Sequence, residues 1–565
     1  MSAHPFYQWL RHFGITCGLA LILSLAALWN GQPFFYPDTP TYLRGAEMGV
    51  TRVLGSAALK PWLPVRKQME KEKGSPSTPV TATEATEAEA SVVRPLKPLT
   101  SIADNVVLAG RSVYYGALLY AGYLSGNMWL TVAFQALCIA YVLQLLMARL
   151  WELGTVQVVG VVAALSLLTP LGIYTGFLMP DVFASLVILT MGMLAVYWQE
   201  LPRIHRWVLS ALLLFSLCAH ASHLALAVPL LGIFLAARLL VSRWRGLSMA
   251  SLAAFALCIV GALGAEWAFN KAVTASIGAP PLRLPHPMAR LIDLGPGTAY
   301  LKQHCSESGT VSYAACAYVQ NYPTIWDDFL FSNDSAKGAF ALADARTKRR
   351  MSDEQLRFVV DVFRFDPMGV AGGIALDVLR QLGLFRVDIG RYNQHGLSMY
   401  EGRVPDSIFS DMQSSRAANQ SPLNQWLTVA TYALVLGSMA LLVLWRLQRA
   451  DSTAGAAGAS LSQRRLADFV WIVVLGVIGN AVVCATLASS MDRFQARVVW
   501  LLPFIALAML ARLAQSTVRP PSISDEASGD SAIAAPSLHS PSSPSSPASP
   551  ASPHSSPSSI QGTTP

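Results

Sequence analysis

The chain has 565 residues, of which 53% are hydrophobic and only 13% charged, with a formal net charge of +8 and a pI near 9.1. A soluble protein of this length needs about 25% charged residues to cover its surface, and the apolar residues here gather into runs of bilayer-spanning length, about 20 residues each. A set of ordinary soluble domains is therefore excluded. The basic residues sit mostly in short loops between those runs, a placement that speaks for membrane orientation and against nucleic-acid binding.

Taken in chain order, residues 1–30 read as a signal anchor and first span. Arg11 precedes an apolar run, and no small-residue cleavage site follows it. Residues 31–125 form a first extracytoplasmic loop whose middle, about 74–91, is Ser/Pro/Thr/Ala/Glu-rich and expected to be disordered. Spans two to seven occupy 126–269, a mainly helical extracytoplasmic domain 270–423, and spans eight to ten 424–515. A Ser/Pro-rich tail, 516–565, cannot bury a core.

The ten expected spans are 13–30, 126–148, 155–176, 180–198, 207–221, 222–240, 249–269, 424–445, 467–488 and 497–513. With the N-terminus inside, the cytoplasmic loops carry Arg149, Arg203, Arg206, Arg238, Arg243, Arg245, Arg446, Arg449, Arg464, Arg465, Arg512 and Arg519. Each inner loop is then basic, as the positive-inside rule requires. Both termini are expected in the cytoplasm. The fold class is an all-α polytopic membrane protein of about ten transmembrane helices, with a helical outer domain between the seventh and eighth.

Cys305 and Cys316 fall in that outer domain, while Cys17, Cys138, Cys218, Cys258 and Cys484 fall inside spans. On an oxidising side, a pair this close in sequence favours a disulfide over two buried thiols.

The span interiors hold almost no Asp, Glu, Lys or Arg, which disfavours an ion-coupled carrier. Polar residues collect instead at outer ends of spans. The first group is Tyr36-Pro37-Asp38-Thr39-Pro40-Thr41-Tyr42. An acid held there can serve as general base toward an acceptor hydroxyl, although Asp38 before Pro40 also suits a helix N-cap. The second is Arg111 with Tyr115, where a guanidinium fork suits phosphate and snorkelling is the alternative. The third is Pro180-Asp181, either a second carboxylate facing Asp38 or a first-turn acid. The fourth is His220 with His223, suited to a phosphate or, less well, a metal, or else a polar turn. The fifth is Asp492-Arg493 with Arg497 one turn on, placed against the positive-inside trend and suited to a phosphate.

On these motifs the chain resembles the bacterial GT-C superfamily of integral-membrane glycosyltransferases that use polyprenyl-phosphate sugars. The acidic motif after the first span, the juxtamembrane stretches near 42–49 and 103–124, and seven spans before a large outer domain carry the resemblance over about residues 10 to 515. It departs from better-known members in having no paired Asp-Glu in the first loop and no Trp-Trp-Asp triplet. The resemblance implies Asp38 as the catalytic acid and a lipid-linked sugar donor as substrate. It also implies transfer to a periplasmic glycan, lipid or protein at the outer face of the bacterial inner membrane. The expected substrate-binding set is Tyr42, Arg111, Tyr115, Asp181, His220, His223, Asp492, Arg493 and Arg497. No metal site and no certain cofactor is assigned. The expected partners are membrane lipid, the donor and the acceptor, with no nucleic acid. The alternatives are an O-antigen ligase or polymerase-like enzyme, a lipid-linked substrate flippase or transporter, and a membrane scaffold.

Overall fold

The structure is a computed structural model that describes residues 5–55, 60–63, 107, 111–241, 244, 247–305, 313–388, 392, 394–418, 423–451 and 461–518. The 74–91 insertion and the tail beyond 518 lie outside the described residues. Among the described residues the chain is helical, with one isolated parallel bridge joining Phe34 to Phe177 and no strand.

The membrane half begins with α1 (Pro5–Asn30), α2 (Thr39–Leu54), α3 (Val113–Ser125) and α4 (Trp129–Gln144), the last prolonged by a π-helical turn Leu145–Leu150. It continues through α5 (Thr155–Leu168), the short α6 (Leu171–Thr175), α7 (Val182–Tyr197), α8 (Arg203–Ala219), α9 (Ala221–Leu240) and α10 (Met249–Ile277). The second half comprises α11 (His286–Leu294), α12 (Pro296–His304), a 3-10 turn Ala314–Asn321, α13 (Trp326–Phe331), α14 (Ala345–Phe365) and α15 (Pro367–Gly383). It ends with α16 (Gln394–Ser398), α17 (Asp406–Ser414), α18 (Leu423–Asp451), α19 (Leu461–Leu487), α20 (Asp492–Val499) and α21 (Leu501–Val518).

Seven helical stretches are long and apolar enough to cross a membrane: Trp9–Asn30, Trp129–Leu150, Ala221–Leu240, Met249–Ile277, Asn424–Gln448, Leu461–Leu487 and Asp492–Gln515. Their outward faces are as apolar as their inward ones. On α10, Leu252, Phe255, Ile259 and Ala262 are buried while Leu257, Val260, Leu263 and Trp267 are exposed. A helix facing water would carry polar residues on that second face. The chain is a multi-pass membrane protein.

The other three expected spans fall on shorter helices. Residues 155–176 break at Thr169-Pro170, because proline forces its predecessor out of helical geometry; Thr169 is extended, with φ −132° and ψ 167°. Residues 180–198 hold α7, 16 residues long and apolar on every side, with nearly every side chain buried by its neighbours. Residues 207–221 hold α8, which ends at Ala219.

The expected outer domain divides its packing. Residues 282–370 close their own core around Met288, Ile292, Leu301, Phe329, Phe340 and Phe358. Residues 385–417 pack into the membrane-half core through Phe385, Tyr392, Tyr400, Ile408 and Met412. Cys305 and Cys316 form a disulfide, with Cα atoms 5.5 Å apart. Asp344 and Asp366 cap α14 and α15 by accepting hydrogen bonds from the amides of Thr347 and Gly369.

Helices α2 and α3 meet at Gly116. A Cβ there would stand 2.3 Å from the Tyr42 carbonyl oxygen and 3.1 Å from the Ala46 Cβ. Only a residue without a side chain lets α3 lie this close to α2. Gly116→Ala is expected to cost about 1–3 kcal/mol through forced separation of α2 and α3, read as a lower melting temperature in detergent. An unchanged melting temperature would contradict the close approach.

Candidate functional site

The polar groups at one end of the bundle converge because the chain after α1 runs back against the turn before α7. The Phe34 amide donates to the Gly176 carbonyl at 2.9 Å, and the Leu178 amide donates to the Phe34 carbonyl at 2.9 Å. Thr39 Oγ1 adds a hydrogen bond to the Leu178 carbonyl at 3.0 Å. Tyr36, Asp38 and Asp181 are thereby set beside one another.

Asp38 occupies the N-cap position of α2, yet its side chain makes no capping bond. It pairs with Arg111 at 2.6 Å instead, both side chains partly exposed. Arg403 braces the same turn by donating to the Pro37 carbonyl at 2.9 Å. Asp181 likewise sits at the N-cap of α7 without capping it. The cap alternative for Asp38 gives way to an ion pair, and Asp181 at the start of α7 is likewise paired with arginine.

Asp181 is 2% exposed and takes two hydrogen bonds from Arg493, Nε to Oδ1 at 3.2 Å and Nη2 to Oδ2 at 2.6 Å. Arg497 Nη1 stands 3.6 Å from Oδ1 of the same carboxylate. Arg497 is 4% exposed and also bonds the Asn480 side-chain oxygen through Nε and Nη2, at 3.2 and 2.9 Å. Arg493 lies 4.0 Å over the Tyr36 ring, and Tyr174 Oη donates to its backbone carbonyl at 2.8 Å. Two guanidinium groups thus share one buried carboxylate. The surplus positive charge in a low-dielectric setting is costly without an anion.

His220 lies outside the helix, and its Nδ1 accepts from the Ser222 amide at 3.1 Å, so it caps α9. The polar-turn reading describes it. His223 is buried one turn in, with Nδ1 2.7 Å from the Ser216 carbonyl and Nε2 without a partner. The two rings stand 5.6 Å apart. Among the described residues no three His, Cys, Asp or Glu side chains gather so as to hold a metal ion.

Tyr42 packs edge-on against Tyr115 at 5.5 Å, beneath the Arg111 guanidinium at 5.8 Å from the Tyr42 ring. The Tyr42 Oη is buried with no partner, and burial keeps its phenol proton on well past the ordinary tyrosine range. Tyr115 donates to Gln135 Oε1 at 2.8 Å and belongs to the packed floor. Asp492 is drawn toward the 384–388 stretch, where it accepts from the Arg386 amide at 2.8 Å and stands 3.7 Å from its guanidinium.

His286, at the start of α11, was not signalled by the sequence. Its ring stacks on Trp326 at 5.3 Å, and its Nδ1 is buried without a partner. Burial, with the nearby Arg111 charge, pushes its pKa down to about 4, opposed only in part by Asp38. Arg403, Asn480 and Ser222 also join the cluster, through contacts that no local pattern announces. The result is one cluster of two carboxylates, Arg111, Arg493 and Arg497, with buried atoms of Tyr42, His223 and His286 that have unused hydrogen-bonding capacity. Comparison with known proteins returns no matching family model, no matching curated protein and no matching solved structure.

The charge surplus makes an asymmetric prediction for the ligand-free protein. Asp181→Asn strands both arginines and is expected to cost about 3–5 kcal/mol, whereas Arg497→Gln leaves one balanced pair and costs far less. Thermal melts of the two variants check the order, and equal losses would contradict it. His286 gives a pH signature. Its folded pKa lies below its unfolded value, so the unfolded chain binds the extra proton and stability falls as pH drops from about 6.5 toward about 4. His286→Phe is expected to shrink the loss of melting temperature between those limits, with no change above pH 7.

Proposed function

We propose that the chain is a membrane glycosyltransferase that moves a sugar from a polyprenyl-phosphate carrier to an acceptor hydroxyl on the outer face of a bacterial inner membrane. The observation that carries this reading is the pair of buried guanidiniums sharing the Asp181 carboxylate. Such a site stands ready for one more anion, and a bidentate arginine fork fits a phosphate. It lies where apolar helices end, so a ligand with a phosphate head and a hydrocarbon tail satisfies both environments.

The reading includes ten spans with both termini in the cytoplasm. α5, α7 and α8 supply the three crossings beyond the seven long helices. The basic loops support this orientation, since Arg465 with Glu200, and Gln515 with Gly154, are tied together at the end of the bundle away from the cluster.

In the proposed reaction the donor phosphate binds Arg493 and Arg497 and draws Arg111 away from Asp38. The freed carboxylate takes the proton of the acceptor hydroxyl. The acceptor oxygen bonds to the anomeric carbon as the carbon–oxygen bond to phosphate breaks. The electron pair leaves with the polyprenyl phosphate, whose growing charge the arginines stabilise. Tyr42 retains its proton and can donate to a sugar or phosphate oxygen. His286 is held neutral and can accept or donate without adding charge.

The test is release of radiolabelled sugar from polyprenyl-phosphate donors by the purified full chain in nanodiscs, with periplasmic extract as acceptor. Asp38→Asn is expected to lower turnover about 100-fold or more, with folding checked by gel filtration. Arg493→Gln is expected to weaken undecaprenyl phosphate binding at least tenfold. Full turnover in a folded Asp38→Asn protein would overturn the assignment of the base, and no consumption of any donor by the wild type would overturn the reaction class.

A further inference from the structure

A cavity of about 160 Å³ opens against the 30–35 stretch, a few residues before Asp38. Its buried floor is made by Gln32, Phe35, Ile408 and Ser415, and its exposed rim includes Asn127, Asp411 and Ser414. The walls come from three distant parts of the chain: the end of α1, the turn before α4, and α17. The joint is firm, since the Ala417 amide donates to Asn30 Oδ1 at 2.8 Å and the Phe35 amide donates to Tyr392 Oη at 2.6 Å.

The lining defines a ligand class by elimination. It holds no Lys or Arg, so a phosphate finds no counter-charge there. Its floor is too polar for a lipid tail. Asp411 is its one carboxylate, too few for a divalent cation that takes six or more oxygens. What the cavity offers is amide and carboxylate groups with spare capacity beside aromatic surface. Gln32 is 5% exposed and its Nε2 has no partner. Asn127 and Asp411 face each other at 3.5 Å, long for a hydrogen bond. Phe35 and Trp129 add the rings. An apolar cavity of about 150 Å³ takes up benzene, so this one has room for a single six-membered ring.

We propose that this cavity is a saccharide subsite that holds one pyranose ring by its hydroxyls and stacks its C–H face on aromatic surface. Phe35 is three residues from Asp38, so their α-carbons are at most about 11 Å apart. That separation suits a ring one or two units from the hydroxyl being glycosylated. The cavity is therefore the acceptor-side subsite, a placement that rests on the transferase reading, whereas saccharide binding itself does not.

The experiment is saturation-transfer NMR on the full chain in nanodiscs with D-glucose, D-galactose, D-mannose and N-acetyl-D-glucosamine. At least one sugar is expected to bind in the millimolar range. Asp411→Ala is expected to weaken it at least tenfold, and Ser414→Trp, which plugs the mouth from an exposed position, to abolish it. Arg357→Gln, an exposed side chain of α14 that does not line the cavity, is expected to bind that sugar like the wild type. Absence of binding by all four sugars, or full binding in the Ser414→Trp protein, would overturn the subsite. Sugar binding that persists in a protein consuming no donor upholds the cavity assignment and removes only the transferase reading.

Discussion

The arrangement hangs on one buried carboxylate held between two arginines. Asp181 joins the turn before α7 to α20, and through Arg493 it reaches the Tyr36 ring at the end of the first span. A charge at 2% exposure is stable only because Arg493 meets it through two bonds and Arg497 stands behind. The Phe34–Phe177 bridge, the Tyr174 hydrogen bond and the Asn480 contact all serve to keep those three groups in register. The surplus guanidinium leaves this ion-pair cluster with more positive than negative charge.

The helices were legible because bilayer-length apolar runs leave little choice. Nine of the ten expected spans fall mainly on one helix each, and 155–176 is divided at Thr169-Pro170. The boundaries were less legible where a single residue decides, as at Pro170. The membrane count was limited by α7, whose uniform apolarity marks equally a span and a helix buried by its neighbours. Asp38 and Asp181 were visible as acids at helix starts, where a cap for Asp38 and a first-turn acid for Asp181 stood as local alternatives. Only their distant arginines, Arg111 and Arg493, decide otherwise, and a separation of 312 residues between Asp181 and Arg493 leaves no periodic trace. Arg493 and Arg497 were signalled by their spacing and by their place against the positive-inside trend. His286 and Arg403 carried no signal, because each reaches the site from a fold of the outer segment that sequence spacing does not encode.

The site also shows how polar chemistry is kept at a membrane face. Tyr115, Gln135 and the carbonyls of Thr175 and Phe177 satisfy one another beneath it, so the floor is closed. The atoms without partners, Tyr42 Oη, His223 Nε2 and His286 Nδ1, are all neutral donors or acceptors set around charged neighbours. That division leaves charge compensation to the arginines, and the unused hydrogen-bonding capacity to uncharged groups that cost less to bury.

The segment between α10 and α18 is tied to the end of α19 and to the turn that leads into the helix carrying Arg493. Arg290 donates to the Ala485 carbonyl at 2.9 Å and pairs with Asp377, whose own carbonyl accepts from Ser490 Oγ at 3.1 Å. Gln381 clasps Met491 at both ends, giving to its carbonyl at 2.8 Å and taking from its amide at 2.9 Å. Met491 is two residues from Arg493. The segment therefore works as a lever: a tilt of α15 would move the arginine-bearing turn with it.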